Sequence, residues 1–162
     1  MTNAMRGRKG AITMHEILFR GKRIANGKWV SGYYVVRKRP YFKDKGADFE
    51  HIICDNLVID DFNDKQFVDT IPITYSVDPE TVGQYTGLTD TNGNKIFEGD
   101  IVWDSYDEDY GKVEWDNDVA KFIITFSTFT VDFDSVCGEE LEIVGNVYDN
   151  PEMMEKIKED YE

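Results

Sequence analysis

Turn-forming residues break this chain at intervals of about 8–12 residues, a spacing that leaves room for short pleated segments rather than long helices. Asn26-Gly27 divides Ile17–Ile24 from Lys28–Val36, and Asn92-Gly93 divides Leu88–Asp90 from Lys95–Phe97. Asn-Gly supplies the positive φ angles of a two-residue type I′ turn, so each pair predicts a hairpin. Gly32, inside the second flank, predicts a bulge or a close backbone approach. Residues 41–49 read as a loop, while Ile52-Ile53-Cys54, Asn56–Ile59 and Phe67–Tyr75 (broken or edged by Pro72) read as short strands. Gly99-Asp100 opens the strand Ile101-Val102-Trp103. Further on, Phe122, Ile124 and Phe126 alternate with Ile123, Thr125 and Ser127. Phe129, Val131 and Phe133 alternate with Thr130, Asp132 and Asp134, which gives one apolar and one hydrated face.

Two segments carry helix signals. Asp78-Pro79-Glu80-Thr81 has a capping Asp, a Pro at the first helical position and an acid in the first turn, and Gly83 limits it to one turn. Asn150 and Pro151 open a C-terminal helix with Met154, Ile157 and Tyr161 on one face, able to dock on the body or on a neighbouring subunit. Apolar residues make up 41% and aromatic residues 14%, enough to bury a core. The fold class expected is therefore all-β, with mixed sandwich and small SH3-like barrel features and a short C-terminal helix. No apolar run approaches the roughly 18–20 residues of a membrane helix, and no N-terminal stretch resembles a signal sequence. With Cys54 and Cys137 as the sole cysteines, no disulfide framework can form. The expectation is a cytoplasmic globular protein.

The charge of −14 is unevenly distributed. Residues 1–45 hold 12 Lys or Arg against 2 acids, and the remainder holds 6 against 30. From Glu98 to Asp118 nine carboxylates face only Lys112. Arg6, Arg8, Lys9, Arg20, Lys22, Arg23, Arg37, Lys38 and Arg39 could form a phosphate-binding face, with Trp29, Tyr33 and Tyr34 as a stacking platform. The competing reading folds the basic segment against the acidic one, within a chain or between copies. It is preferred here, because the acidic bulk repels a polyanion within the Debye length.

Reactive groups do not converge. His51 and Cys54 lie three residues apart in a strand-like stretch, so they point to opposite faces, and His15 is remote in sequence. Asp90-Thr91-Asn92-Gly93-Asn94 opens like a calcium loop, but Lys95 stands where Gly is required and Ile101 where the bidentate Glu belongs. Asp104, Asp107, Glu108 and Asp109 read as a solvated acidic loop rather than a cation site. Neither phosphate-cradling glycine motif occurs. No catalytic residue, cofactor or metal is expected.

Phe19-Arg20-Gly21-Lys22-Arg23, Asn26-Gly27-Lys28-Trp29-Val30 and Gly32-Tyr33-Tyr34 resemble the opening of the YopX family of phage and prophage proteins. So do Val77–Leu88, Ile96–Val102, Gly111–Asp116 and Ile143–Glu152, and the resemblance runs from about Met14 to Glu152. It implies an all-β fold and a bacterial cytoplasmic setting, and it transfers no catalytic residue. Residues 1–13 lie before the start usual in that family and read as a flexible leader or an added extension. The expected organisation is a β module over 14–77, a connector over 78–96, an SH3-like module over 97–150 and a helix over 151–162. Barrel closure would hide the edges of the second module and leave those of the first available.

Three functions compete. One is an accessory protein without enzymatic activity that self-associates and binds a host or phage protein, using Arg20, Lys22, Arg23, Trp29, Tyr33, Arg37, Lys38 and Arg39 as candidate contacts. Another is a nucleic-acid-associated regulator using the same basic face. The third is an acidic DNA mimic that occupies a host protein.

Overall fold

The computed structural model describes residues 16–38, 49–55, 73–133 and 140–157. Strands β1 (Phe19–Lys22), β2 (Trp29–Lys38), β3 (Phe49–Asp55), β4 (Ile73–Ser76), β5 (Gly83–Thr89) and β6 (Lys95–Phe97) form one antiparallel sheet, ordered β4-β3-β2-β1-β5-β6. Strands β7 (Asp100–Asp104), β8 (Asp109–Asp116), β9 (Lys121–Thr125), β10 (Thr130–Asp132) and β11 (Leu141–Asn146) form a second, ordered β10-β9-β8-β7-β11. The fold is all-β, as the short alternating segments predict. Among the described residues no helix is long and apolar enough to cross a membrane.

Both Asn-Gly corners turn the chain, though not with the two-residue geometry expected. Only the glycine of each pair has positive φ, +67° at Gly27 and +82° at Gly93. Between β1 and β2 the loop is four residues long, closed by Arg23 N–H on Lys28 O at 2.9 Å and Gly27 N–H on Arg23 O at 2.8 Å. Between β5 and β6 it is three, closed by Asp90 N–H on Asn94 O at 2.9 Å. Loops of these lengths are usually built on a type I turn, and a final left-handed glycine returns the strand to register.

Asp90, read as turn rather than calcium ligand, is almost fully buried. Its carboxylate accepts from the backbone N–H of Asn92 (2.9 Å), Asn94 (2.8 Å) and Ile143 (3.3 Å) and from the Asn94 side chain (3.2 Å). Although burial alone would raise its pKa, these donors hold it below the usual Asp value. The turn is thereby fastened to the outer edge of β11, where Thr91 N–H also reaches Leu141 O at 2.9 Å.

Asp78-Pro79-Glu80-Thr81 forms one 3₁₀ turn over Pro79–Thr81, with the Asp78 carboxylate accepting from Glu80 N–H at 3.1 Å. The C-terminal helix α1 is shorter than its signals suggest, Met153–Lys156. Asn150 does not cap it: its Oδ1 accepts from Asn146 N–H at 3.3 Å, within the turn that precedes the helix. Ile157 from the predicted apolar stripe is buried, whereas Tyr161 lies outside the described residues.

Ile96, Val102, Val113, Ile124, Phe126 and Leu141 make the central core, flanked by Val131, Phe133 and Ile143. Ile124, Phe126, Val131 and Phe133 are inward positions of the alternation seen in the sequence, whereas Phe129 of the same series is exposed. The closure expected of this second sheet is not found: its outermost strands β10 and β11 are not paired with each other among the described residues. Instead the first sheet curls. Ile24 N–H reaches Ser76 O at 3.0 Å and Asp78 N–H reaches Lys22 O at 2.9 Å, so β1 meets the end of β4 around the Arg23–Val77 bridge. Inside the curl lie Ile53 and Val77, both fully buried, close against Gly21. Phe49 begins β3 rather than ending a loop. The Asn56–Ile59 strand, the part of Phe67–Tyr75 before Ile73, and residues 1–13 lie outside the described residues.

Candidate interaction surface

Strand alternation sorts the predicted basic residues. In the β1–β2 register Arg20 is opposite Ser31 and Lys22 opposite Trp29, so Arg20, Lys22 and Trp29 share one sheet face. At Arg20 that face is covered by Asp100 of β7, and at Lys22 and Trp29 it meets Asp149, just beyond β11. Arg20 Nη1 lies 2.5 Å from Asp100 Oδ1, with the two side chains 14% and 1% exposed. The guanidinium also sits over the rings of Trp29 (4.8 Å) and Phe97 (5.1 Å), and its Nη2 donates to Glu98 O at 3.3 Å. The other Asp100 oxygen accepts from Phe97 N–H at 2.8 Å. Burial raises the Asp100 pKa, and Arg20 and the Phe97 N–H offset only part of that.

Lys22 extends the seam by pairing with Asp149 and lying over the Trp29 ring at 5.4 Å. Trp29 Nε1–H donates to Asp149 Oδ2 at 2.7 Å and Asn146 Nδ2–H to the same oxygen at 3.0 Å, while the Tyr148 ring packs on Trp29 at 5.8 Å. The Lys22 ammonium, then the Asn146 and Trp29 donors, pull the Asp149 pKa from 3.8 to about 2. A depressed carboxylate contributes stability above its unfolded pKa and loses it as the pH falls through the folded one. Replacing Asp149 by Asn should therefore reduce the stability lost between pH 4 and pH 2, read from urea midpoints. With the side chain 43% exposed, solvent screening holds the difference to about 1 kcal/mol.

The remaining candidates scatter. Arg23 lies over the Tyr75 ring at 4.2 Å. Arg37 Nε–H donates to Glu50 Oε2 at 2.9 Å, and Glu50 also accepts from Ser76 Oγ–H at 2.8 Å. Tyr33 and Lys38 are exposed on β2, and Arg39 lies outside the described residues. A single basic face is thus not assembled: Arg20 and Lys22 turn onto carboxylates from the far end of the sequence, and Arg37 onto one from the next strand. Nor do Tyr33 and Tyr34 form a platform with Trp29. Tyr34 points to the opposite face, where it contacts Phe19 at 5.4 Å and hydrogen-bonds and stacks with His51. His51 and Cys54 face opposite sides, as alternation requires, with His51 opposite Val36 and Cys54 opposite Tyr33.

What the sequence reading missed is the apolar ribbon of β2, β3 and β4. Tyr33, Val35, Val36, Phe49 and Ile73 are 41–59% exposed there. A Val-Val pair between aromatic and basic residues is the signal present in the sequence, since adjacent apolar residues in a strand put one side chain on each face.

A family model described as YopX protein matches residues 19–155. Among curated proteins none matches the chain. Among solved structures the chain is similar to protein EF1440 from Enterococcus faecalis, at 17% identity and a TM-score of 0.46, over 87% of this chain and 99% of that one.

Proposed function

The chain belongs to the YopX family, and from that premise we propose that it is a phage- or prophage-encoded accessory protein of the bacterial cytoplasm. It acts by binding proteins, copies of itself included, and catalyses no reaction. One observation carries this reading: cationic side chains of the first sheet turn inward onto carboxylates, while apolar side chains of the β2–β3–β4 ribbon turn outward. Exposed apolar groups beside a strand edge favour protein association, since soluble monomers tend to cover or charge such edges.

Neutralising Arg20 and Lys22 within the chain counts against the nucleic-acid reading, which needs unpaired cations to displace counterions from phosphate. Light scattering over a wide concentration range should return a mass above that of one chain. A monomer at every concentration and at low salt removes the self-association. In a mobility assay duplex DNA should not shift at low salt. A shift abolished by Arg37→Glu with Lys38→Glu would put the regulator reading first.

A further inference from the structure

We infer that residues 33–38 of β2 form a homodimer interface, pairing antiparallel with the same segment of a second copy about a two-fold axis at Val35. The inference rests on the self-association reading and names its surface. β2 changes neighbours along its length: Trp29–Gly32 pair with β1, and Tyr33–Lys38 pair with β3 on the opposite edge. Beyond Gly32 the β1 side of β2 has no strand beside it among the described residues. The chain leading into β1 bonds along β5 and β6 instead, with Leu18 O accepting from Tyr85 N–H at 2.8 Å and Glu16 pairing with Lys95. Beyond Gly32 the backbone groups of β2 that do not face β3 therefore have no strand partner among the described residues.

An open edge invites a further strand when it is long, apolar and free of proline. Tyr33-Tyr34-Val35-Val36 supplies an apolar run, Arg37 and Lys38 extend the strand with charge at its end, and no proline interrupts it. Symmetry then selects the register. A two-fold axis perpendicular to a sheet keeps each face on its own side, so a residue must meet one of the same parity. Centred on Val35, Tyr33 meets Arg37 of the second copy, Tyr34 meets its Val36, and Val35 meets its Val35. No like charges are opposed, and each ring gains a cation or an apolar neighbour. Arg37, held by Glu50 and still 61% exposed, keeps a guanidinium face for that ring. Centring on Val36 instead would set Val35 against Arg37 of the second copy.

The test uses the full chain in sedimentation equilibrium. Val35→Lys places two ammonium groups opposite each other on the axis and should raise the dimer dissociation constant at least about tenfold. Val119→Lys, a change at another exposed valine, in the β8–β9 turn, should leave it unchanged. Should Val35→Lys disturb folding by near-UV circular dichroism, a cross-link decides. With Cys54 and Cys137 changed to Ser, Val35→Cys should oxidise to a disulfide-linked dimer and Val119→Cys should not. A dimer indifferent to Val35→Lys and without that cross-link overturns this interface and leaves self-association standing. A wild-type monomer at all concentrations overturns both.

Discussion

Asp100→Ala is expected to destabilise the protein by about 3–5 kcal/mol, because breaking one side of a buried ion pair leaves the other charge without compensation. The stranded group would be Arg20, itself enclosed by Trp29, Phe97 and the second sheet. Phe97 N–H would lose its acceptor in the same step, a further penalty for a buried donor. The pair is not thereby a large net source of stability. Replacing both partners together, Arg20→Met with Asp100→Ala, should recover the part of the loss that comes from the stranded guanidinium, while Phe97 N–H stays without its acceptor. Urea unfolding of Asp100→Ala, Arg20→Met and the double variant closes the cycle. A cost below about 1 kcal/mol for Asp100→Ala would show that the first sheet does not depend on the second for its charge balance. The same pair explains why the basic half of the sequence is not a basic surface: Asp100 opens β7, and β7 brings its carboxylate under β1.

That connection could not be read from the residues themselves. Alternation in the sequence places Arg20, Lys22 and Trp29 on one side of a hairpin, and this much the register confirms. Which side is covered depends on how the second sheet folds back, a contact 127 residues apart for Lys22 and Asp149. Local patterns carry no record of it. Legible elements were those decided by neighbours a few residues away: the Asp78-capped turn, the left-handed glycines at the two corners, and the inward Ile124 and Phe126. One neighbour-level signal failed because a competing turn partner only four residues away had claimed the residue. Asn150 looks like a helix cap and is instead bonded back to Asn146. Asp90 is the turn residue its neighbours indicate, and only its added bond to Ile143 on β11 is beyond local reach. The apolar ribbon was half visible, since Val35 and Val36 can be read as strand, but only the handover from β1 to β3 at Gly32 shows that one edge is unpaired among the described residues.

Gly32→Ala is the second large effect, and it acts on the backbone where that handover occurs. Gly32 is the last residue of β2 paired with β1, and Tyr33 the first paired with β3. The strand bends there tightly enough that a Cβ on Gly32 would stand 2.2 Å from the Cys54 carbonyl oxygen and 2.9 Å from its carbon. Both are backbone atoms of β3, so no side chain can rotate away, and β2 must separate from β3 to admit one methyl group. Overpacking of this kind costs about 1–3 kcal/mol, and a rigid neighbour places this site at the upper end. Gly27→Ala is the informative control: its φ is +67° but nothing lies within 4 Å of the added carbon, so its cost is the left-handed strain alone, about 1–2 kcal/mol. If Gly32→Ala is measured by denaturant midpoint and proves the milder of the two, β2 does not make the sharp handover described. If it is the more severe, the bend that holds Tyr33–Lys38 away from β1 is fixed by a residue with no side chain. Self-association through that edge should then weaken along with stability, although no contact of the second copy has been removed.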